Sequence, residues 1–177
     1  MVPDPGPPDK DQLFAEVTSG CTGLISRIAM SHEADPALRL ELVQDILLAV
    51  WVALPSFRGD ASLRTFVASI AQKRCVTHVA RRAREPRQVE LPPDLISAAQ
   101  LPDEVAIGND FKEKLAETIK KLPDPQREAI VLCFEGFSYG EVGEVLGIST
   151  NAAMLRCQRA KQSLKALMDP VPKVSQA

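Results

Sequence analysis

The sequence predicts an all-α protein of two small helical domains joined by a proline-rich linker, the second domain a helix-turn-helix. Composition is the first observation behind this. Hydrophobic residues make up 45% of the 177, but aromatics only 5%, and there are 9 glycines, a balance that fills a core with aliphatic side chains and disfavours strand-rich sandwiches. Periodicity is the second, because apolar residues recur near every 3.6 positions through most of the chain. The third is a break. Residues 87–104 hold Pro92, Pro93 and Pro102 with little periodicity, which reads as a tether. The expected organisation is a disordered leader over 1–10, a first domain over 11–86, the linker over 87–104, a second domain over 105–168 and a short tail over 169–177.

The elements follow in order. Asp11 to Met30 carries Leu13, Phe14, Val17, Leu24, Ile25 and Ile28 at helical spacing, interrupted by Ser19-Gly20, so one or two helices are expected. Asp35-Pro36 has the form of an N-cap followed by proline at the first helical position, opening a helix that runs to about Leu54 before Pro55. Between Leu42 and Leu54 only Gln44 and Asp45 are polar. A helix apolar nearly all round is either central to its domain or keeps one face for a partner. After the turn Ser56–Asp60 a long helix is predicted from about Ser62 to Arg84. Leu63, Phe66, Val67, Ile70, Ala71, Cys75 and Val79 form its inner stripe, and Arg64, Lys73, Arg74, His78, Arg81 and Arg82 its outer face. Phe66 belongs to the apolar stripe and is expected in the core. His78 is expected on the solvent side beside phosphate, having no carboxylate or nucleophile at hand in sequence to make it a catalytic base.

In the second domain, which begins near Glu104, helices are expected over Phe111–Lys121, over Gln126–Glu135, and from Phe137-Ser138-Tyr139 to about Leu146. After a turn at Gly147, Ile148-Ser149-Thr150 opens a last helix to Leu167. Two short helices joined by a glycine turn, the second starting at a hydroxyl cap, are the sequence form of a helix-turn-helix. Ala153, Leu155, Ala160, Leu164 and Leu167 can pack inward, leaving Arg156, Arg159, Lys161 and Lys165 for phosphate. Gly140 and Gly143 should each cost their helix roughly 1 kcal/mol relative to Ala.

Charge is segregated along the chain. The formal net charge is −2, yet 57–87 carries 8 basic and 2 acidic residues between flanks of −5 (1–56) and −4 (88–125), and 126–177 is +1. Such a cationic island suits a phosphate backbone. Cys21, Cys75, Cys133 and Cys157 are widely spaced, with no C-x-x-C pair or neighbouring histidine, so buried free thiols are expected and no metal site. Cys157 has no redox partner visible in sequence. There is no glycine-rich phosphate loop, metal cluster or partnered nucleophile, which argues against an enzyme. Neither a membrane-length apolar run nor a signal-peptide order is present, so a soluble cytoplasmic protein without cofactor is expected.

Several stretches in the same order resemble the bacterial RNA polymerase sigma factors of the small extracytoplasmic-function class, over about residues 11–168. Glu41-Leu42-Val43-Gln44-Asp45, Trp51, and Ala53 through Phe66 (ALPSFRGDASLRTF) look like that family's polymerase-binding helix running into its promoter-melting segment. Leu122-Pro123, Arg127-Glu128, Glu135 to Tyr139 and Leu146 to Ser149, then Arg156, Arg159-Ala160 and Leu164, look like its upstream promoter-reading domain. The resemblance implies a promoter-specificity subunit whose domain 2 is 11–86 and domain 4 is 105–168. It implies that Gln44, Asp45, Leu48 and Trp51 dock on a coiled coil of the polymerase's largest subunit. Arg58, Ser62, Arg64, Lys73, Arg74, His78, Arg81 and Arg82 would meet the minus-ten promoter element, and Ser149, Thr150, Asn151, Arg156, Arg159 and Lys161 the minus-thirty-five. An anti-sigma protein is implied as a further partner. A dimeric helix-turn-helix regulator is the alternative, and it leaves 41–66 unexplained.

The sequence departs from the family in its reading helix, where Ala152, Ala153 and Met154 stand in place of a small hydroxyl, a branched apolar and a basic residue, and Leu155 in place of a small polar one. Direct base reading is then left to Thr150, Asn151 and Arg156. Gly140 and Gly143 stand where an acidic residue and alanine are usual, and Ala49 and Val52 replace charged residues beside Trp51, enlarging the apolar surface available to a partner.

Overall fold

The computed structural model describes residues 9–84 and 109–168. The linker over 87–104, the tail and most of the leader lie outside the described residues. Asp9 caps α1 (Lys10–Gly20), which therefore begins inside the expected leader. The chain breaks at Cys21 into α2 (Thr22–His32), so the Ser19-Gly20 weakness resolves into two helices. Next comes α3 (Pro36–Ala53), with Asp35 Oδ1 accepting from the Ala37 and Leu38 N–H groups at 2.8 and 3.1 Å and Pro36 in the first turn. That satisfies donors a helix start otherwise leaves open. A 3₁₀ turn (Leu54–Ser56) leads through an irregular loop to α4 (Leu63–Arg82), capped by the Ser62 hydroxyl, which accepts from Thr65 N–H at 3.0 Å.

The core of this first half is aliphatic. Val17, Leu24, Ile25, Ile28, Leu42, Ile46, Val50, Leu54, Val67, Ala71 and Cys75 are buried together, with Phe66 packed against them. Each position lies on the inward stripe that 3.6-residue periodicity assigns.

His78 requires correction. It is 6% exposed and its Nε2 lies 2.8 Å from Glu33 Oε2, so it faces the interior between α2 and α4 and not solvent. Glu33 also accepts from the Asp35 N–H at 2.9 Å and has Arg82 at 3.6 Å. A buried carboxylate is tolerated because its oxygens are supplied with donors.

The second half comprises α5 (Asn109–Lys120), α6 (Asp124–Phe134), α7 (Tyr139–Leu146) and α8 (Thr150–Met168). Ser138 and Glu141 form a reciprocal capping box at the start of α7, and Gly147 ends it in the left-handed region at φ 66°, which a side chain would make costly. In α8 the buried positions are Ala153, Cys157, Ala160 and Leu164. Leu155 and Leu167, expected inside, are 41% and 46% exposed. The inward stripe passes through Cys157 instead, where it meets Cys133 of α6. These two cysteines form a disulfide, leaving only Cys21 and Cys75 as buried free thiols. Burial pushes the Cys75 thiol up to about 12.

The two halves pack against each other, α2 on α5 and α6 and α4 on α7. Val131, Leu132, Phe137, Val142 and Val145 belong to the same apolar cluster as the first domain's core.

The two helical glycines of α7 differ in kind. A Cβ at Gly140 would meet nothing nearer than Ser138 Oγ at 3.9 Å, while one at Gly143 would stand 2.7 Å from the Ile148 carbonyl oxygen. Gly143 is therefore required by the close approach of the turn into α8. Gly140→Ala should raise stability by about 0.4–1 kcal/mol, and Gly143→Ala should lower it by about 1–3 kcal/mol. Denaturant unfolding of both variants checks the pair, and equal stabilisation by the two would contradict the geometry.

A second prediction concerns acid. Burial pushes the Glu33 carboxyl up, but hydrogen bonds from His78 and the Asp35 N–H, with Arg82 nearby, outweigh it and hold the group below its ordinary value of 4.5. A carboxyl depressed by folding stabilises the fold above its unfolded pKa, and this is lost as pH falls through the folded value. Glu33→Gln should melt below the parent at neutral pH. The gap between their melting temperatures should narrow steadily towards about pH 3, and a gap independent of pH would contradict the assignment.

Candidate polymerase and nucleic-acid interfaces

The helix α3 buries one face and leaves another uncovered. Leu42, Ile46, Ala49 and Val50 point inward, while Leu40, Leu48 and Val52 are 61%, 61% and 68% exposed. Leu47, Leu48 and Trp51 meet Phe14 and Ala15 of α1 in an open apolar groove edged by Asp11 and Thr18. Trp51 is half-buried at its floor, edge-on to Phe14 with ring centres 5.0 Å apart and the Lys10 ammonium 3.8 Å above the ring. Gln44 and Asp45 are exposed, and Asp45 lies 3.9 Å from Arg74 of α4. Bare leucine and valine on a helix surface beside a half-covered tryptophan are the makings of a docking face.

At the C-terminal end of α3 the chain forms a second feature. Residues 56–61, with Thr65, Phe66 and Ser69, line a cavity of about 220 Å³ that Glu144 of α7 closes on one side. Phe57 and Phe66 lie with ring centres 5.1 Å apart, so Phe66 serves the core and the cavity wall together. A polar-rimmed hollow with aromatic walls suits a base drawn out of its stack.

The cationic candidates fare unequally. Arg58 and Lys73 are exposed and make no ion pair with the described residues. The hydroxyl of Ser62 is committed to the cap of α4 and lies 2.9 Å from Thr65 Oγ1. Arg64 reaches across to Glu135 of the second domain. Arg74 and Arg82 are exposed but stand near Asp45 and Glu33, and Arg81 borders a polar hollow with Glu41, Asp45, Arg74 and His78. The outer face of α4 is thus partly neutralised by acidic groups from α2 and α3. Sequence charge alone hides this.

In the helix-turn-helix, Ser149 caps α8, its hydroxyl accepting from Ala152 N–H at 3.2 Å. Thr150 and Asn151 are exposed in the first turn, and Arg159 and Lys161 are exposed further along. Arg156 is half-buried and faces the α6 carboxyl of Glu128, which burial pushes above its ordinary value. The exposed stripe runs Asn151, Leu155, Gln158 and Gln162. Gln158 carries no charge to mark it in the sequence, although the step from Asn151 to Leu155 to Gln158 follows helical period and an amide can bridge an adenine edge.

With this geometry in view, similarity to known proteins is informative. The family model described as Sigma-70 region 2 matches residues 21–85, and that of Sigma-70 region 4 matches 112–164. The chain is 28% identical to RNA polymerase sigma factor SigZ of Bacillus subtilis over 79% of this chain and 78% of that one. It is 24% identical to the RNA polymerase sigma-H factor of Pseudomonas aeruginosa (91% and 86% covered) and to the ECF sigma-E factor of Escherichia coli K12 (84% and 80%). Solved sigma-factor structures share its fold. The sigma factor RpoE bound to the anti-sigma factor NepR from Bartonella quintana superposes with TM-score 0.67 at 21% identity, covering 90% of this chain and 98% of that one. CnrH bound to the cytosolic domain of CnrY gives TM-score 0.61 at 26% identity, with 92% and 99% covered. The two family models together take in more than half of the chain, and it belongs to the sigma-70 family of promoter-specificity subunits of RNA polymerase, in its extracytoplasmic-function class.

Proposed function

We propose that the chain binds core RNA polymerase through the uncovered face of α3, opens a promoter with the loop at 56–62 and the outer face of α4, and reads the upstream element with α8. The observation that carries this is the placement of an uncovered apolar helix face directly before an aromatic-walled cavity that Arg58 helps to line. Docking on polymerase through Leu48, Val52 and the Trp51 floor would hold the cavity where DNA strands separate. Arg58 and Lys73 then neutralise phosphate as the bases unstack. Ser149, Thr150 and Asn151 bring polar groups and a helix N-terminus to the groove of the upstream duplex. Leu155 offers an apolar contact there.

The protein would catalyse nothing itself, since nucleotide addition belongs to the polymerase. It would act in the cytoplasm without a cofactor, and no described helix is long and apolar enough to cross a membrane. The RpoE neighbour was solved with an anti-sigma factor, and an anti-sigma protein covering the α3 face would hold this chain inactive.

Purified protein added to core polymerase should direct run-off transcription from a promoter near its own gene. Leu48→Asp should weaken core binding about tenfold or more, as loss of a central apolar anchor does, with little change in melting temperature because the residue is already exposed. Normal core binding by Leu48→Asp would move the docking face elsewhere.

A further inference from the structure

The side chain of Glu135, at the end of α6, lies between two arginines of the other domain and is only 9% exposed. Arg27 of α2 grips it in bidentate fashion, Nε on Oε1 and Nη2 on Oε2, the latter at 2.8 Å. Arg64 of α4 donates Nη2 to the Glu135 carbonyl at 2.6 Å and sits 3.3 Å from Oε2. Its guanidinium also stacks 4.7 Å over the Phe137 ring. The two arginines stay 54% and 43% exposed at their outer sides. Room for Arg27 is made by Gly23, one turn earlier on the same helix, where a Cβ would stand 3.1 Å from its Nη1.

We propose that Arg27 and Arg64 form a binding site for a backbone phosphate of promoter DNA, and that Glu135 is a carboxylate stand-in occupying this site whenever the two domains are closed. A guanidinium fork from one helix and a second guanidinium from another, converging on one carboxylate and its neighbouring carbonyl, form a geometry that a phosphate also uses. Arg64 opens the helix that follows the cavity-forming loop, so the site lies beside the place where an unstacked strand would run. The inference rests on the assignment of that loop and α4 to DNA.

Geometry makes the two occupants alternatives. Minus-ten and minus-thirty-five elements are separated by about 25 base pairs, or about 85 Å at 3.4 Å each. A closed body of this size has a radius of gyration of only about 14 Å. The 24 residues of 85–108 can span about 79–86 Å when fully extended. Reading both elements therefore requires the domains to part, which removes Glu135 and bares the arginines as DNA arrives. In the closed form the hydrogen bonds that Arg27 donates to Glu135 hold its guanidinium still more firmly charged than usual.

The test uses the full chain without polymerase and a fluorescein-labelled twelve-nucleotide oligothymidylate read by anisotropy. This probe is independent of promoter sequence, so failure here is distinguishable from failure of run-off transcription. Glu135→Gln should bind it about fivefold tighter than the parent, with a salt slope steeper by about 0.7 for one more phosphate neutralised. Its small-angle scattering radius should increase. Arg27→Ala in that background should abolish the gain in affinity and slope while leaving the larger radius. Glu135→Ala, with no hydrogen-bonding side chain left, should behave as Glu135→Gln and guards against a variant-specific folding defect. Unchanged affinity in both Glu135 variants, or a gain that survives Arg27→Ala, overturns the proposal.

Discussion

The contact between the two domains is the interaction on which the remaining structure depends. Phe137 is 6% exposed, with the Arg64 guanidinium of α4 over its ring. Val131 and Val145 likewise belong to a cluster that continues into the first domain's aliphatic core. Small helical domains bury proportionally little surface, so sharing a seam stabilises both. The same seam covers residues at the edge of the cavity formed by 56–61, since Glu144 closes one side of it. Stability in the closed form and access for DNA therefore draw on one surface.

The uncovered face of α3 stands outside that seam. Leu48 lines a groove whose described walls come from α1 and α3 alone, and Val52 is exposed. A partner can thus reach α3 without first parting the domains. In the proposed sequence of events, polymerase engages this face while Glu135 still fills the arginine pair, and separation of the domains follows. An interface that forms in one state and a second that forms only in the other is the usual basis of a two-state switch.

Much of the fold was legible in the sequence because caps and stripes are local. Asp35-Pro36 and Gly147 both mark helix ends where the structure has them. The apolar excess of α3 left open a central helix or a face kept for a partner, and the structure gives the helix both a buried face and an exposed apolar one. What sequence could not show depends on which residues meet in space. His78 lies on the side of α4 that its charged neighbours share, but Glu33, distant in the chain, draws it inward. Cys157 had no partner until α6 brought Cys133 beside it. Gly143 looked like a weak point in a helix, and only the path of the following turn makes it necessary. Arg27 escaped notice because a single arginine on an apolar helix carries no pattern. The cationic island of α4 was legible as composition, but its neutralisation by Asp45 and Glu33 is a matter of packing.

The central claim is that one set of surfaces serves domain closure in the free chain and DNA in the working complex. It is tested most directly by measuring the distance between spectroscopic labels at exposed Ala80 of α4 and Gln162 of α8, in the free chain and in the complex with core polymerase and promoter. The account predicts a short, single distance in the free chain and an increase of several tens of ångströms in a transcriptionally active complex. An unchanged distance in that active complex would contradict it.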